Sequence, residues 1–196
     1  MAAGKPGLTH RPPAIALLAA LFLIGMSFPA QSPAQPSGPS QFDVEAVYLY
    51  NFAKFVRWPA GSPGQTLDIC VAGQKVYLDS LNKVVTGERI DERALSVRAI
   101  QRPEDEAGCG ILFIDASAKA RLDSLLAAAS GKPILTVSDV PDFLDRGGII
   151  QFLLIEHRVR FSVDLRPTAG NGIALSSELL KVAVKVNGQA PAGGSK

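Results

Sequence analysis

The sequence predicts an α/β fold: a single three-layer domain over residues 43–187, a mainly parallel sheet flanked by helices and edged by an antiparallel hairpin. Three observations predict it. Gly110-Ile-Leu-Phe-Ile-Asp115 and Pro133-Ile-Leu-Thr-Val-Ser-Asp139 are near-continuous apolar runs, as expected of strands covered on both faces. Segments with helical periodicity alternate with such runs along the chain, the order of a parallel sheet with crossover helices. Near the end, Gly148–Ile155 and Arg158–Leu165 flank the polar pair Glu156-His157, a hairpin pattern.

Each element has its own signal. Val44–Pro59 reads as a helix with Val44, Tyr48, Leu49, Phe52, Phe55 and Val56 on a broad apolar face. Asn51, Lys54 and Arg57 make a narrow polar stripe opposite, and Pro59 stops the helix. Leu67–Ala72 reads as a strand closed by Gly73, Val76–Val85 as a short helix closed by Gly87, and Leu95–Ile100 as a strand. Ala118–Ala129 is helical, with Gly131 as its C-terminal cap. Leu175–Val186 closes the domain as a helix.

The ends have a different composition. Lys5 and Arg11 precede an apolar run from Ala14 to Met26, too short to cross a bilayer comfortably. Small residues follow at Ala30 and at Ser32-Pro33-Ala34, so residues 1–34 are expected to be a signal peptide cleaved near Ala34 or Ala30. A retained single anchor is the alternative. Residues 35–42 read as a disordered Pro/Ser/Gln linker and residues 188–196 as a disordered tail. Cleavage leaves eighteen basic and eighteen acidic residues. A neutral chain lacks the net positive field that nucleic-acid binding requires. In an exported protein the even pair Cys70 and Cys109 reads as a disulfide, the alternative being two buried thiols.

Catalytic and metal signatures are sparse. The one histidine beyond the leader, His157, sits in the hairpin turn, and two separated cysteines do not make a zinc site. The chain has no Gly-x-Ser-x-Gly elbow and no P-loop. Ala169-Gly-Asn-Gly172 lacks the spacing of a dinucleotide fingerprint and reads as a turn. Asp115 and Asp139 end apolar strands, at the rim where open α/β sheets bind ligands, and Gly73 ends another. Aspartates placed there also cap the helices that follow. Tyr50, Lys54, Arg57 and Trp58 are the candidate partner-binding residues, Tyr50 being an aromatic on the polar side of the first helix.

Tyr48-Leu-Tyr-Asn-Phe-Ala-Lys-Phe-Val-Arg-Trp-Pro59 resembles the opening signature of the YfiR-like family of exported bacterial proteins. Asp68–Gly73 and Cys109–Ile114 look like its two cysteine-bearing strands. Pro133–Asp139, Gly147–Ile150 with Val159–Phe161, and Leu175–Ala183 follow in order. The resemblance implies a periplasmic regulator that binds the periplasmic sensor domain of a membrane-bound diguanylate cyclase and represses it. It also implies an outer-membrane lipoprotein as sequestering partner, a homodimer, and no cofactor. Two departures stand out. Only the pair Cys70 and Cys109 is present where some relatives carry a second, and over Asp164–Gly172 the chain has Asp164, Pro167 and glycines where the family tends to have an asparagine and an alanine-rich helix. The expectation is therefore a non-enzymatic regulator, with a small-ligand sensor using the Gly73, Asp115 and Asp139 rim as the alternative.

Overall fold

The computed structural model describes residues 38–62 and 64–188. The expected signal peptide, the linker through Ser37 and the tail from Gln189 lie outside the described residues. The first helix, α1 (Gln41–Phe55), is opened by Ser40, whose side chain accepts from the Asp43 N–H in a reciprocal capping box. It thus begins inside the segment expected to be linker. It is followed by β1 (Val56–Arg57), β2 (Thr66–Ala72), α2 (Lys75–Val85), β3 (Arg89–Ile90) and β4 (Arg93–Ala99). Next come β5 (Cys109–Ile114), a 3-10 segment Ala116–Arg121 leading into α3 (Leu122–Ala129), and β6 (Leu135–Ser138). The chain closes with β7 (Ile150–Ile155), β8 (Arg158–Asp164), α4 (Thr168–Asn171), β9 (Ala174–Leu175), α5 (Ser177–Lys181) and β10 (Val186–Asn187).

Eight strands form one sheet in the order β10-β8-β7-β6-β5-β2-β4-β3. The centre is parallel from β4 through β7, and the β7–β8 hairpin pairs antiparallel beside the β10 edge. Side-chain alternation assigns the layers. Ile69, Val71, Ile111, Phe113, Leu135 and Val137 face α1 and α2 in the larger core. Cys70, Ala72, Leu112 and Ile114 face α3 with Leu122 and Leu125 in the smaller one. The fold class is α/β, as the apolar runs predict.

Three elements differ from the sequence expectation. Helix α1 stops at Phe55, four residues before Pro59. Val56 and Arg57 instead pair antiparallel with Leu175 and Ala174, and the Ser176 N–H donates to the Phe55 carbonyl at 2.8 Å. The expected closing helix Leu175–Val186 is helical only over Ser177–Lys181. Val182 and Ala183 turn back on α5 through N–H bonds to the Leu179 and Leu180 carbonyls, and the chain then runs along β8, with the Val184 N–H donating to the Phe161 carbonyl and the Val163 N–H to the Lys185 carbonyl. Val184 and Val186 are β-branched, which suits this edge better than a helix. The Arg166–Gly172 segment keeps a single helical turn, ended by Gly172 in the left-handed conformation (φ 69°).

Candidate functional site

Helix α1 is anchored to the sheet by aromatic rings. Phe52 lies 5.0 Å from the Phe161 ring centre and 5.8 Å from that of Phe152, with Tyr48 5.7 Å from Phe161. Leu49, Phe52, Ala53 and Val56 are buried, and the Tyr48 hydroxyl donates to the Val159 carbonyl at 3.4 Å. Phe55, expected on the apolar face, is instead exposed, as is Val47. Glu45, a polar residue, takes a buried place on the inner face.

The four candidate partner-binding residues separate into two groups. Lys54 sits 3.9 Å above the Tyr50 ring, a cation–π contact on the outside of α1. The Tyr50 hydroxyl donates to Glu88, just beyond α2. Arg57 is no longer on the helix but on β1, exposed. Trp58 packs half-buried against the larger core, with the Arg93 guanidinium 5.7 Å from its ring centre. Its indole N–H is buried without a hydrogen-bond partner. The stripe drawn from helical spacing is therefore broken after Lys54, because pairing with β9 takes over the backbone there.

The strand rim does bring Gly73, Asp115 and Asp139 to one end of the sheet. The Asp115 carboxylate accepts from the Gln74 N–H at 2.5 Å and the Ser117 N–H at 2.6 Å, and is wholly buried. A side chain at Gly73 would meet that carboxylate at 2.1 Å, and its φ of 155° adds a second reason for glycine. Two residues that the rim reading does not include fill the remaining space. The Tyr77 hydroxyl donates to Glu45 at 2.8 Å and lies 3.3 Å from Asp139. One Asp139 oxygen is buried with no partner. The protein's own acidic groups thus occupy much of the rim, with Gly73 and Asp139 half-exposed.

This cluster is a proton-linked element of the fold. Burial, reinforced by neighbouring carboxylates, lifts the Glu45 pKa above its ordinary value, opposed by the Gln41 and Tyr77 hydrogen bonds. Burial and the Asp115 charge lift Asp139 likewise, and burial with the Glu45 charge pushes the Tyr77 phenol up. A carboxyl raised in the native state adds stability that is complete below its unfolded pKa, about 4. That stability is lost as pH rises through the native pKa. Glu45→Gln keeps an acceptor for Tyr77 and removes the charge. Its melting temperature is expected to exceed the wild type's near about pH 8 and to converge with it near about pH 4. A difference independent of pH would show that Glu45 carries no such linkage.

Cys70 and Cys109 form a disulfide between neighbouring strands β2 and β5, with Cα atoms 5.8 Å apart. Arg98 braces the loop before Cys109. Its guanidinium donates to the Asp105 carbonyl at 2.6 Å and the Ala107 carbonyl at 2.5 Å, and to Asp68 at 3.2 Å.

The chain is a three-layer α/β domain with acidic groups gathered at its strand rim and the Tyr50–Lys54 pair outside α1. The chain belongs to the YfiR/HmsC-like family, whose model matches residues 42–184. A solved structure of a conserved domain protein from Vibrio cholerae O1 biovar El Tor shares the fold, with a TM-score of 0.52 at 8% identity. The similarity covers 76% of this chain and 60% of that one. At this identity the likeness concerns the fold alone.

Proposed function

We propose that this protein is a non-enzymatic periplasmic regulator that binds the periplasmic sensor domain of a membrane-bound diguanylate cyclase and represses it. The observation that carries the reading is the family match across 42–184, nearly the whole folded domain. The YfiR-like family is a regulatory one, periplasmic and linked to diguanylate cyclase signalling. Among the described residues no helix is long and apolar enough to cross a membrane. Release of the domain by cleavage near Ala34 or Ala30 belongs to the same reading. A homodimer and a sequestering outer-membrane lipoprotein belong to the same reading.

Repression requires differential affinity: the protein must bind the inactive conformation of the sensor domain more tightly than the active one. Deleting the gene in a host that carries the partner cyclase is expected to raise cyclic-di-GMP, measured by mass spectrometry of cell extracts. An unchanged level would count decisively against repression. Tyr50 and Lys54 remain partner-facing in this reading, with Arg57 and Trp58 beyond the helix end. Tyr50→Ala with Lys54→Ala is expected to weaken repression at a stability cost of roughly 2 kcal/mol, since it removes one exposed hydrogen bond, one cation–π contact and the packing of the half-buried Tyr50 ring against the larger core. Full repression by a folded double variant would take this patch out of the interface.

A further inference from the structure

The first half of α1 is held to α2 largely by polar groups, the second half by the rings around Phe52. Asp43 accepts from the Ser80 hydroxyl at 2.7 Å. The buried Glu45 accepts from Gln41 on its own helix and from Tyr77 on α2, both at 2.8 Å. Tyr77 is itself fixed, its ring 5.0 Å from that of Phe42 and 4.6 Å from that of Phe113. Its oxygen also stands 3.3 Å from Oδ2 of Asp139, just past the end of β6. A third carboxylate, Asp115, is wholly buried nearby and accepts from the Gln74 and Ser117 N–H groups. Among the described residues no lysine, arginine or histidine lies within ion-pair distance of Glu45, Asp115 or Asp139.

With both carboxyls ionised these groups are one proton short. A phenol has a single proton to donate, and Tyr77 has two carboxyls beside it. Donated to Glu45, that proton leaves the Tyr77 and Asp139 oxygens facing each other with lone pairs only. The other Asp139 oxygen, Oδ1, is buried without a partner. An ionised Asp139 would hold its charge against those of Asp115 and Glu45 with only the nearby Asp139 and Ala116 N–H groups to offset it. A proton on Oδ2 removes that charge and completes the chain: Asp139 donates to Tyr77, and Tyr77 to Glu45. Glu45 is the better place for the charge that remains, because it already accepts two hydrogen bonds. Burial and the surrounding carboxylates lift both Glu45 and Asp139, the behaviour of two carboxyls that share one proton.

We infer that Asp139, Tyr77 and Glu45 form a hydrogen-bonded chain holding one proton, and that losing this proton as the pH rises loosens the first turns of α1 from α2 and the strand rim. Once both carboxyls are ionised, they repel across Tyr77 in a site without a cation. The polar half of α1 then gives way, while Phe52 keeps the other half against Phe152 and Phe161. The domain is thereby closed more firmly in acid than in mild alkali. Tyr50 follows on the same helix, so where the partner-binding reading above holds, the proton tunes the face offered to the partner. The switch itself stands without that reading.

The test is amide hydrogen exchange and carboxyl-carbon NMR of the mature protein between about pH 5 and about pH 8. With exchange corrected for its intrinsic pH dependence, protection of the amides of residues 45–49 is expected to fall roughly threefold or more across this range, and that of residues 52–55 by less. Asp139→Asn supplies a donor to Tyr77 at every pH, and is expected to keep at the higher pH the protection that the wild type has in acid. Tyr77→Phe keeps the ring and removes the link, so the Glu45 and Asp139 carbon signals, which move together in the wild type, are expected to titrate apart. Wild-type protection that is level across the range, or an Asp139→Asn protein that loses protection as the wild type does, would overturn the inference. Should a variant fail to fold, the wild-type carbon signals decide: joint titration above the ordinary carboxyl range of about 4 upholds the shared proton, and separate titration within that range overturns it.

Discussion

Replacing Phe52 by alanine is expected to destabilise the domain by about 3–5 kcal/mol, the cost of emptying a large buried aromatic site. Phe52 is 1% exposed and meets the rings of Tyr48, Phe152 and Phe161, so it joins α1 to both strands of the hairpin. The cavity would open between a helix and a sheet braced at several other points, which limits how far it can collapse. A chain of this size should then melt roughly 10 °C lower. The measurement is thermal or urea unfolding of the two purified proteins. A loss under about 1 kcal/mol would mean that α1 is held mainly by its ends, through the Ser40 cap and the β1–β9 pairing, rather than by this cluster.

The second large effect concerns the disulfide. Removing both cysteines as Cys70→Ala with Cys109→Ala is expected to cost about 3–4 kcal/mol. The bridge closes a loop with a sequence separation of 39, and most of its effect in the chain-entropy account lies in the unfolded state. Two observations argue that the native fold itself would survive. β2 and β5 remain paired through backbone hydrogen bonds over five registered positions. Arg98 continues to hold the carbonyls of Asp105 and Ala107 whether or not the sulfurs are joined. The expected result is a lower melting temperature for the double variant, matched by wild type in reductant, with little change in far-ultraviolet circular dichroism. Equal melting temperatures for the variant and the oxidised wild type would remove the bridge as a source of stability.

The parts of the fold legible in the sequence are those where burial writes a continuous pattern. Ile111–Ile114 is covered on both faces and apolar at every position, and Leu135–Val137 is interrupted only by the buried Thr136, so each run marks a central strand. The hairpin was legible because Glu156-His157 separates an apolar run from the alternating segment Arg158–Asp164. Val182–Val186 misled because a short apolar segment fits a helical face and a strand equally well. Its state was decided by hydrogen-bond partners on β8.

The candidate site divides in the same way. Tyr50 and Lys54 stand one helical turn apart, and that spacing brought them together as α1 places them. Arg57 left the group because its backbone pairs with Ala174, a residue far along the chain. Gly73, Asp115 and Asp139 were recognisable as strand ends, yet nothing in their local sequence announces that Glu45 and Tyr77 come from two helices to fill the space between them. A signal for Glu45 did exist: it lies at helical spacing from Leu49 and Phe52, on the inward side. A charged residue on that face was a hint of a buried polar network.

The sequence by itself determined the fold class, the central strands and the family signature, because these rest on local periodicity and on residue types fixed along the chain. Tertiary structure alone decided that Glu45 and Tyr77 meet Asp139 at the strand rim, that the first helix stops at Phe55, and that Arg57 pairs with β9 instead of extending the α1 stripe. Each of those depends on which groups from distant segments meet. Local sequence carries no record of a charge left uncompensated, or of a cavity filled, by residues many turns away.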